Sequence, residues 1–497
     1  MKAARESPSI ACCRIRLPLA GTLSVVLALA CGLGMRLWML KQFFVLDGDP
    51  QVYGGLAKNL LLHGSYALTG GGGELFPTLI RLPGYPLFLA LCFRLFGMGN
   101  YVSAALVQIA LELAGCLLLA DFARRIAPSA LSNGAAHCTL WLAALCPFTA
   151  LYAAEPLAES LTLFAITLAL WSMARFRARP GWPAALCFTF AVTFAALLRP
   201  EGALVALALT PALLIRLGRE EGDGVISAKK LARIVVVCVL LALGPFAAWS
   251  WRNWQTFHVF QPLAPRYAND PGQATYHGWE RWVKSWCLDF VSTAEIYWNV
   301  PDDTLEIDQL PARAFDSPVQ YVETARLAAD YNLKTELTPE IDARFGRLAD
   351  ERITAHPLRF YIWLPLGRMA DMWLRPRTDN LPIDLDWWNY AKHNEETCIS
   401  WAYVGLNALY LLLGVAGLWL RPQFSTPRTT TCPWGPRFWR PMLAYMLLRS
   451  ALLTTIAAPE ARYTLECFPM LFALGGVALW RGFEKIGAMG KGIATGR

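Results

Sequence analysis

The sequence predicts an all-α, multi-pass membrane protein: a helical bundle of about ten spanning helices, with interfacial juxtamembrane helices and a mostly helical extracytoplasmic cap. Three observations carry that expectation. Hydrophobic residues make up 55% of the 497 positions and charged residues 16%, with a mean hydropathy of +0.35, whereas a soluble chain averages about 25% charged. Apolar runs approaching the roughly 20 residues that a span requires recur at 17–40, 101–121, 137–153, 156–174, 182–198, 202–217, 234–251, 399–420, 441–458 and 463–480. Basic residues, finally, fall in alternate short loops: Arg14 and Arg16, Arg124 and Arg125, Arg175 with Arg177 and Arg179, a group over 216–233, a group over 421–440, and Arg481 with Lys485. That is the positive-inside pattern. It places both termini in the cytoplasm and explains the net charge of +8 without a nucleic-acid partner.

The first run has Arg14 and Arg16 before it but no small-residue cleavage site after it, so it reads as a retained helix of an inner-membrane protein. In the loop that follows, 41–100, "DPQVYGGLAKNLLLHG" starts a helix at Asp49 and Pro50 and ends it at Gly64. Its stripe of Tyr53, Leu56, Ala57, Leu60 and Leu61 suits a helix lying on the outer membrane surface. "PGYPLFLALCFRLFG" (83–97) is too short to span and carries Arg94; a crossing there would invert every later loop.

The chain divides into a seven-helix transmembrane core over 1–254, an extracytoplasmic block over 255–397, and three closing helices over 398–497. In the middle block, Trp279, Trp282 and Trp286 form one helical face that would rest on lipid or on the bundle. Ser317 and Thr338, each followed by Pro, begin two amphipathic helices. The segment 356–376 reads as interfacial. Thirteen cysteines are scattered mostly singly through apolar runs, where they act as small hydrophobes; Cys287 and Cys398 lie outside, and no bridge between them is expected. Six isolated histidines and no CxxC or HExxH spacing offer no metal site.

Chemistry concentrates in four outer connections. The first holds Asp47, Asp49 and, further on, Arg81. "YAAEPLAES" places Glu155 and Glu159 one helical turn apart. "LLRPEGA" carries Arg199 and Glu201, and "APEARYTLE" carries Glu460, Arg462, Tyr463 and Glu466. Each has a plainer reading: Asp49 as a helix cap, Glu155 as a partner for a helix dipole, Arg199 with Glu201 as a local ion pair, Arg462 as an interfacial anchor. Together they set carboxylates and guanidinium groups on one face of one membrane. Arginine binds phosphate through a rigid fork, and a carboxylate takes the proton of an attacking alcohol, so the set suits a phosphate-bearing substrate and a hydroxyl to be activated.

In this order the motifs resemble the GT-C superfamily of integral-membrane glycosyltransferases, in the branch that holds protein mannosyltransferases and lipid A aminoarabinose transferases. That branch opens a juxtamembrane helix with D-E-x-x-Y-x-x-x-A. "DPQVYGGLA" keeps Asp49, Tyr53 and Ala57 at that spacing, with Pro50 at the second position and Asp47 two residues earlier. "RLPGYPLFLALCFRLFG", Glu155 after the third helix, "LLRPEG" and "ARYTLECFPML" continue the match.

The resemblance implies a transferase that takes a sugar from a polyprenyl-phosphate donor, outside the cytoplasm, onto a hydroxyl of an unknown acceptor. Asp49, with Asp47 as second choice, would be the base. Arg81, Arg199 and Arg462 would hold the departing phosphate, with Tyr53, Glu155, Glu159, Glu201, Glu460 and Tyr463 around the substrates, and the sugar would invert. No cofactor is expected and no obligatory metal, although Glu155 with Asp47 would hold a divalent ion as in some superfamily members. Rival readings are a transporter or flippase, which would place charges at the midplane where only Glu112 and Glu466 fall; a glycan polymerase or ligase; and a structural membrane protein.

Overall fold

The computed structural model describes residues 19–128, 130–217, 227–384, 394–420 and 438–495. Each predicted apolar run is helical over most of its length. Five single helices are long and apolar enough to cross a membrane: α1 (Leu19–Phe43), α4 (Tyr101–Ile126), α7 (Ala158–Ala178), α10 (Ala228–Phe257) and α16 (Asn394–Trp419). The sixth is α18 (Phe468–Thr495) together with the tight turn Ala461–Cys467 before it. A seventh crossing is a bent pair, α5 (Ser132–Ala144) and α6 (Pro147–Ala154), which meet at 52°. The remaining predicted spans are shorter: α8 (Trp182–Leu198) has 17 residues, and α9 (Ala203–Leu217) and α17 (Trp439–Leu453) have 15 each. By length and composition six or seven of the ten expected spans qualify as long single or bent spans among the described residues, and α8, α9 and α17 are the shorter ones. Of the basic loop residues, Arg14, Arg16, Arg219, Arg421, Arg428 and Arg437 lie outside the described residues.

The bend has a local cause. Pro147 has no amide hydrogen, so the helix ladder fails just before it. Ala143 loses the donor that residue 147 would supply, α5 stops at Ala144, and the Ala144 carbonyl at the break accepts from Arg36 Nη1 at 2.7 Å. Arg36 is fully buried in α1 and also holds Glu112 of α4 through two bonds of 2.5 and 2.7 Å. Helix break, arginine and carboxylate form one satisfied unit inside the bundle.

Between α1 and α4, α2 (Asp49–His63) ends on Gly64 at φ 63°, whose N–H reaches Leu60 O at 3.1 Å. Its buried face of Tyr53, Leu56 and Ala57 is covered by α3 (Gly84–Phe96) and by a hairpin of β1 (Ala67–Thr69) and β2 (Leu75–Pro77). That face was expected to lie on lipid; protein takes its place, with Tyr53 set edge-on to Tyr85 at 4.9 Å. The hairpin has three residues per strand, too few to leave a period in the sequence.

The outer block has its own core. Trp279 and Trp282 of α11 (His277–Lys284), with Trp286 just beyond, pack on Phe345 of α14 (Pro339–Ala355), Tyr331 of α13 (Pro318–Asn332) and Leu305. The tryptophan face therefore forms the centre of the cap and does not rest on lipid or on the bundle. Gly278 makes this crossing possible, because a Cβ there would lie 1.8 Å from the Asp342 carbonyl oxygen. The Asp342 carboxylate accepts the free N–H groups of Gly278 and Trp279 at 3.1 and 2.9 Å, capping α11 from a neighbouring helix. Ser317 and Thr338 cap α13 and α14 as expected. After a single turn α12 (Phe290–Ser292) and these helices, the segment from Arg359 through α15 (Leu364–Leu374) exposes Tyr361, Trp363 and Leu366, the aromatic stripe of an interfacial element. Cys287 is buried, Cys398 is exposed in α16, and both are free.

Candidate active site

Of the residues singled out in the sequence, Asp47, Asp49, Tyr53, Arg81, Glu155, Glu159, Arg199, Glu201, Glu460, Arg462 and Tyr463 line one cavity of about 1140 Å³, and Glu466 lies behind Arg199. Several backbone devices bring them there. Gly84 lets α3 abut the end of α8, since a Cβ would sit 2.6 Å from Leu197 O. Gly202 folds the Pro200–Gly202 turn back on α8, where a Cβ would meet Ala195 O at 2.1 Å. These close approaches bring Arg81, from the connection before α3, and Arg199 and Glu201, at the end of α8, to the same floor. The tight turn Ala461–Cys467 adds Arg462 and Tyr463, and the start of α7 adds Glu159.

Asp49 is the first residue of α2, one position past the N-cap Gly48, so it is not placed to cap the helix. It accepts instead from Arg81 Nη2 at 2.7 Å and lies 3.5 Å from Arg462 Nη1. Burial pushes the Asp49 carboxyl up, but Arg81 and then Arg462 outweigh it and hold the group below the usual carboxylate range. The capping role open to it in the sequence is not the one it takes. Asp47, the second choice, is exposed at the rim of the same cavity.

From Asp49 the charges alternate inward. Arg462 lies 3.6 Å from Glu159 and 2.5 Å from Glu460, which also accepts the Tyr463 hydroxyl. Arg199 meets Glu159 at 2.7 Å, Glu201 at 3.1 Å and Glu466 at 3.7 Å, with its guanidinium 5.2 Å from the Tyr463 ring centre. Arg449 of α17 closes the series, 3.1 Å from Glu466 and 3.4 Å from Glu201. Burial raises the Glu460 carboxyl, against the pull of Arg462 and Tyr463.

Glu155 stands apart on another wall. Burial raises it to about 8, and its one side-chain partner is the Asn380 amide, which donates at 2.8 Å. Tyr53 closes the floor beneath Asp49. Sequence reasoning missed Arg449, which sits mid-helix in α17, and Asp379 and Asn380, which line the cavity from the cap side. The signal for the latter pair was the run "RPRTDN" directly after an interfacial helix: charge of both signs where lipid anchoring alone calls for cations.

Residues 81–249 match the profile of the dolichyl-phosphate-mannose-protein mannosyltransferase family. Among solved structures, the archaeal oligosaccharyltransferase AglB from Archaeoglobus fulgidus, in complex with an inhibitory peptide and a dolichol-phosphate, is similar with a TM-score of 0.51 and 10% identity, over 96% of this chain and 52% of that one. The oligosaccharyltransferase of the same organism tethered with an acceptor peptide gives 0.51 and 12%, over 94% and 50%. ArnT from Cupriavidus metallidurans bound to undecaprenyl phosphate shares 17% identity over 93% of this chain and 78% of that one, with a TM-score of 0.38. The chain spans about half the length of the two oligosaccharyltransferase chains. No curated protein matches it. The fold is that of a multi-pass helical membrane protein, similar to the two oligosaccharyltransferase chains.

Proposed function

We propose that the protein transfers a sugar from a polyprenyl-phosphate-linked donor to an acceptor hydroxyl on the extracytoplasmic face of the membrane, with Asp49 as the base. One observation carries this reading: a carboxylate in the first turn of a helix is held by two arginines from distant connections inside a large cavity. The acceptor oxygen, hydrogen-bonded to Asp49, attacks the anomeric carbon as the bond to phosphate lengthens, through an oxocarbenium-like transition state. The proton passes to Asp49 and polyprenyl phosphate leaves, its charge met by Arg81, Arg199 and Arg462. Attack from the face opposite the phosphate inverts the sugar.

All three arginines are engaged by carboxylates in the free protein. An entering phosphate competes for them. As it draws Arg81 and Arg462 away from Asp49, the influence that holds this carboxyl low is removed, and the base strengthens as the donor seats. The dolichol-phosphate held by the fold-similar AglB supports a donor of this class. The positive-inside reading of the basic loops supports an outward-facing cavity. Glu112 and Glu466, the deep carboxylates that a transporter would use, are already paired with Arg36 and Arg449.

Glu155 and Asp47 both line the cavity and are the pair that would hold a divalent ion; the transfer from donor to acceptor balances without one.

The test uses the full-length protein in lipid nanodiscs with a panel of radiolabelled polyprenyl-phosphate sugars. Wild type should release label from the lipid. Asp49→Asn should do so about 10²–10⁴-fold more slowly, with an unchanged elution profile. A variant that turns over like wild type would end the proposal.

A further inference from the structure

The outer wall of the cavity differs in chemistry from its floor. The floor is ionic; the wall, built by the connection after α10, by α11 and by the turn after α12, is aromatic with polar groups beside it. Tyr267 and Trp298 line it with 40% and 48% of their surface exposed. Neither ring is loose. Tyr267 is braced edge-on against His277 at 5.0 Å, and Trp298 against Phe290 at 5.4 Å. On the same wall Glu280 accepts the Tyr297 hydroxyl at 3.3 Å, and burial raises the Glu280 carboxyl.

The stretch from Pro265 to Thr275 also lines a second pocket of about 300 Å³, whose polar lining includes Gln261, Asn269, Gln273 and Thr275.

Exposed, braced rings beside amides and a carboxyl suit a molecule with apolar C–H faces and hydroxyl edges. An acyl chain would leave the amides unsatisfied. A peptide would take its affinity from main-chain pairing or from apolar side-chain anchors, and neither accounts for the carboxyl and amides beside these rings. We infer that this outer wall forms a chamber of the main cavity that binds a saccharide as the acceptor, with its ring faces on Tyr267 and Trp298 and its hydroxyls on Glu280 and the polar groups of the 269–275 stretch. That it is the acceptor rests on the transferase reading above; that the chamber holds a saccharide does not. In the transfer, a saccharide hydroxyl oxygen bonds to the donor's anomeric carbon. Its proton goes to Asp49, and the broken C–O bond leaves its electron pair on polyprenyl phosphate.

The experiment is saturation-transfer NMR on the full-length protein in nanodiscs, with mannotriose, chitotriose and an unglycosylated threonine-rich peptide as probes. Label release from the donor panel is measured on the same wild-type sample. Wild type should pass saturation to the C–H protons of a trisaccharide. The double variant Tyr267→Ala/Trp298→Ala should lose at least about five-fold, and Tyr267→Phe/Trp298→Phe, which keeps both rings aromatic, should restore most of the signal. The inference is overturned if neither trisaccharide is contacted, if the alanine variant matches wild type, or if the peptide displaces the saccharide. Label release without saccharide contact overturns this inference alone. Saccharide contact without label release upholds the chamber and removes the transferase reading.

Discussion

Arg281 meets Asp350 at 2.5 Å in the cap, and Arg199 meets Glu159 at 2.7 Å on the cavity floor. The lengths are nearly the same, but the surroundings differ. The cap pair is 48% and 60% exposed, whereas the floor pair is 15% and 5% exposed. Water screens the first pair, and such pairs contribute about 0–1 kcal/mol. The second was taken out of water at a cost of several kcal/mol per ion, which the pairing must offset. Pair length therefore says little about consequence, and burial says most. A protein that keeps at least four guanidinium groups and five carboxylates in one buried cluster bears a cost that an apolar floor would avoid. Such clusters gather at functional sites.

The comparison breaks most visibly at Arg449. It is 1% exposed, and its removal leaves Glu466, at 2%, facing a site without its nearest cation. Arg449→Met should cost about 3–5 kcal/mol, read as a large fall in the thermal midpoint in detergent. Adding Glu466→Gln should return more than half of that loss. A single variant that melts like wild type would mean that the floor is as well solvated as the cap.

Arg462 sharpens the same contrast on the activity side. Its guanidinium reaches Asp49, Glu159 and Glu460 at once, a task for a planar fork and not for a point charge. Arg462→Lys keeps the charge and should leave the melting midpoint nearly unchanged. Donor kcat/KM should nevertheless fall by about 10–100-fold, because transition-state charge is then met by a group that cannot bridge. Equal activity would assign Arg462 to structure alone.

Glu155 gives a pH-dependent case. Its folded-state value of about 8 stands above the ordinary 4.5. Below 4.5 both folded and unfolded chains hold the proton and the group has no effect. From 4.5 to 8 the unfolded chain gives up the proton while the folded one retains it, so stability falls as pH rises, by an order of a few kcal/mol at the upper end. Glu155→Gln removes that slope and still accepts from Asn380. The variant should be the more stable protein at pH 8, and the two melting curves should converge near pH 4.5. Parallel curves over that range would mean that Glu155 is ionised and solvated.

How far the sequence reaches follows the same division between water and burial. Helix positions were legible because lipid imposes a long, unbroken apolar signal, and Ser317 and Thr338 because caps are local. The convergence of Asp49, Arg199 and Arg462 was legible only as a side of the membrane, since charges at the ends of spans must share a rim. Which carboxylate meets which arginine was not, because that depends on Gly84 and Gly202 permitting backbone approaches of a few ångströms. The tryptophan face of α11 was misassigned for a related reason. A stripe at helical spacing shows that something apolar covers it, and lipid and Phe345 satisfy that demand equally. By length alone α8, α9 and α17, with 17, 15 and 15 residues, fall outside the long spans, and α17 carries Arg440 and Arg449 in its otherwise apolar run.

The smallest expected effect is the control for all the others. Arg281→Ala removes the short cap pair with Asp350 and should change the thermal midpoint by the equivalent of less than about 1 kcal/mol. It should leave donor turnover unchanged, because neither residue lines the cavity. The measurement should be made in low and in high salt. Salt screens an exposed pair over a Debye length of about 3 Å at 1 M, so any small loss should vanish there. The Arg449→Met loss, buried from ions in solution, should persist. A salt-resistant loss at Arg281 would show that the cap also keeps charge out of reach of water, and the line drawn between cap and cavity floor would then have to move outward.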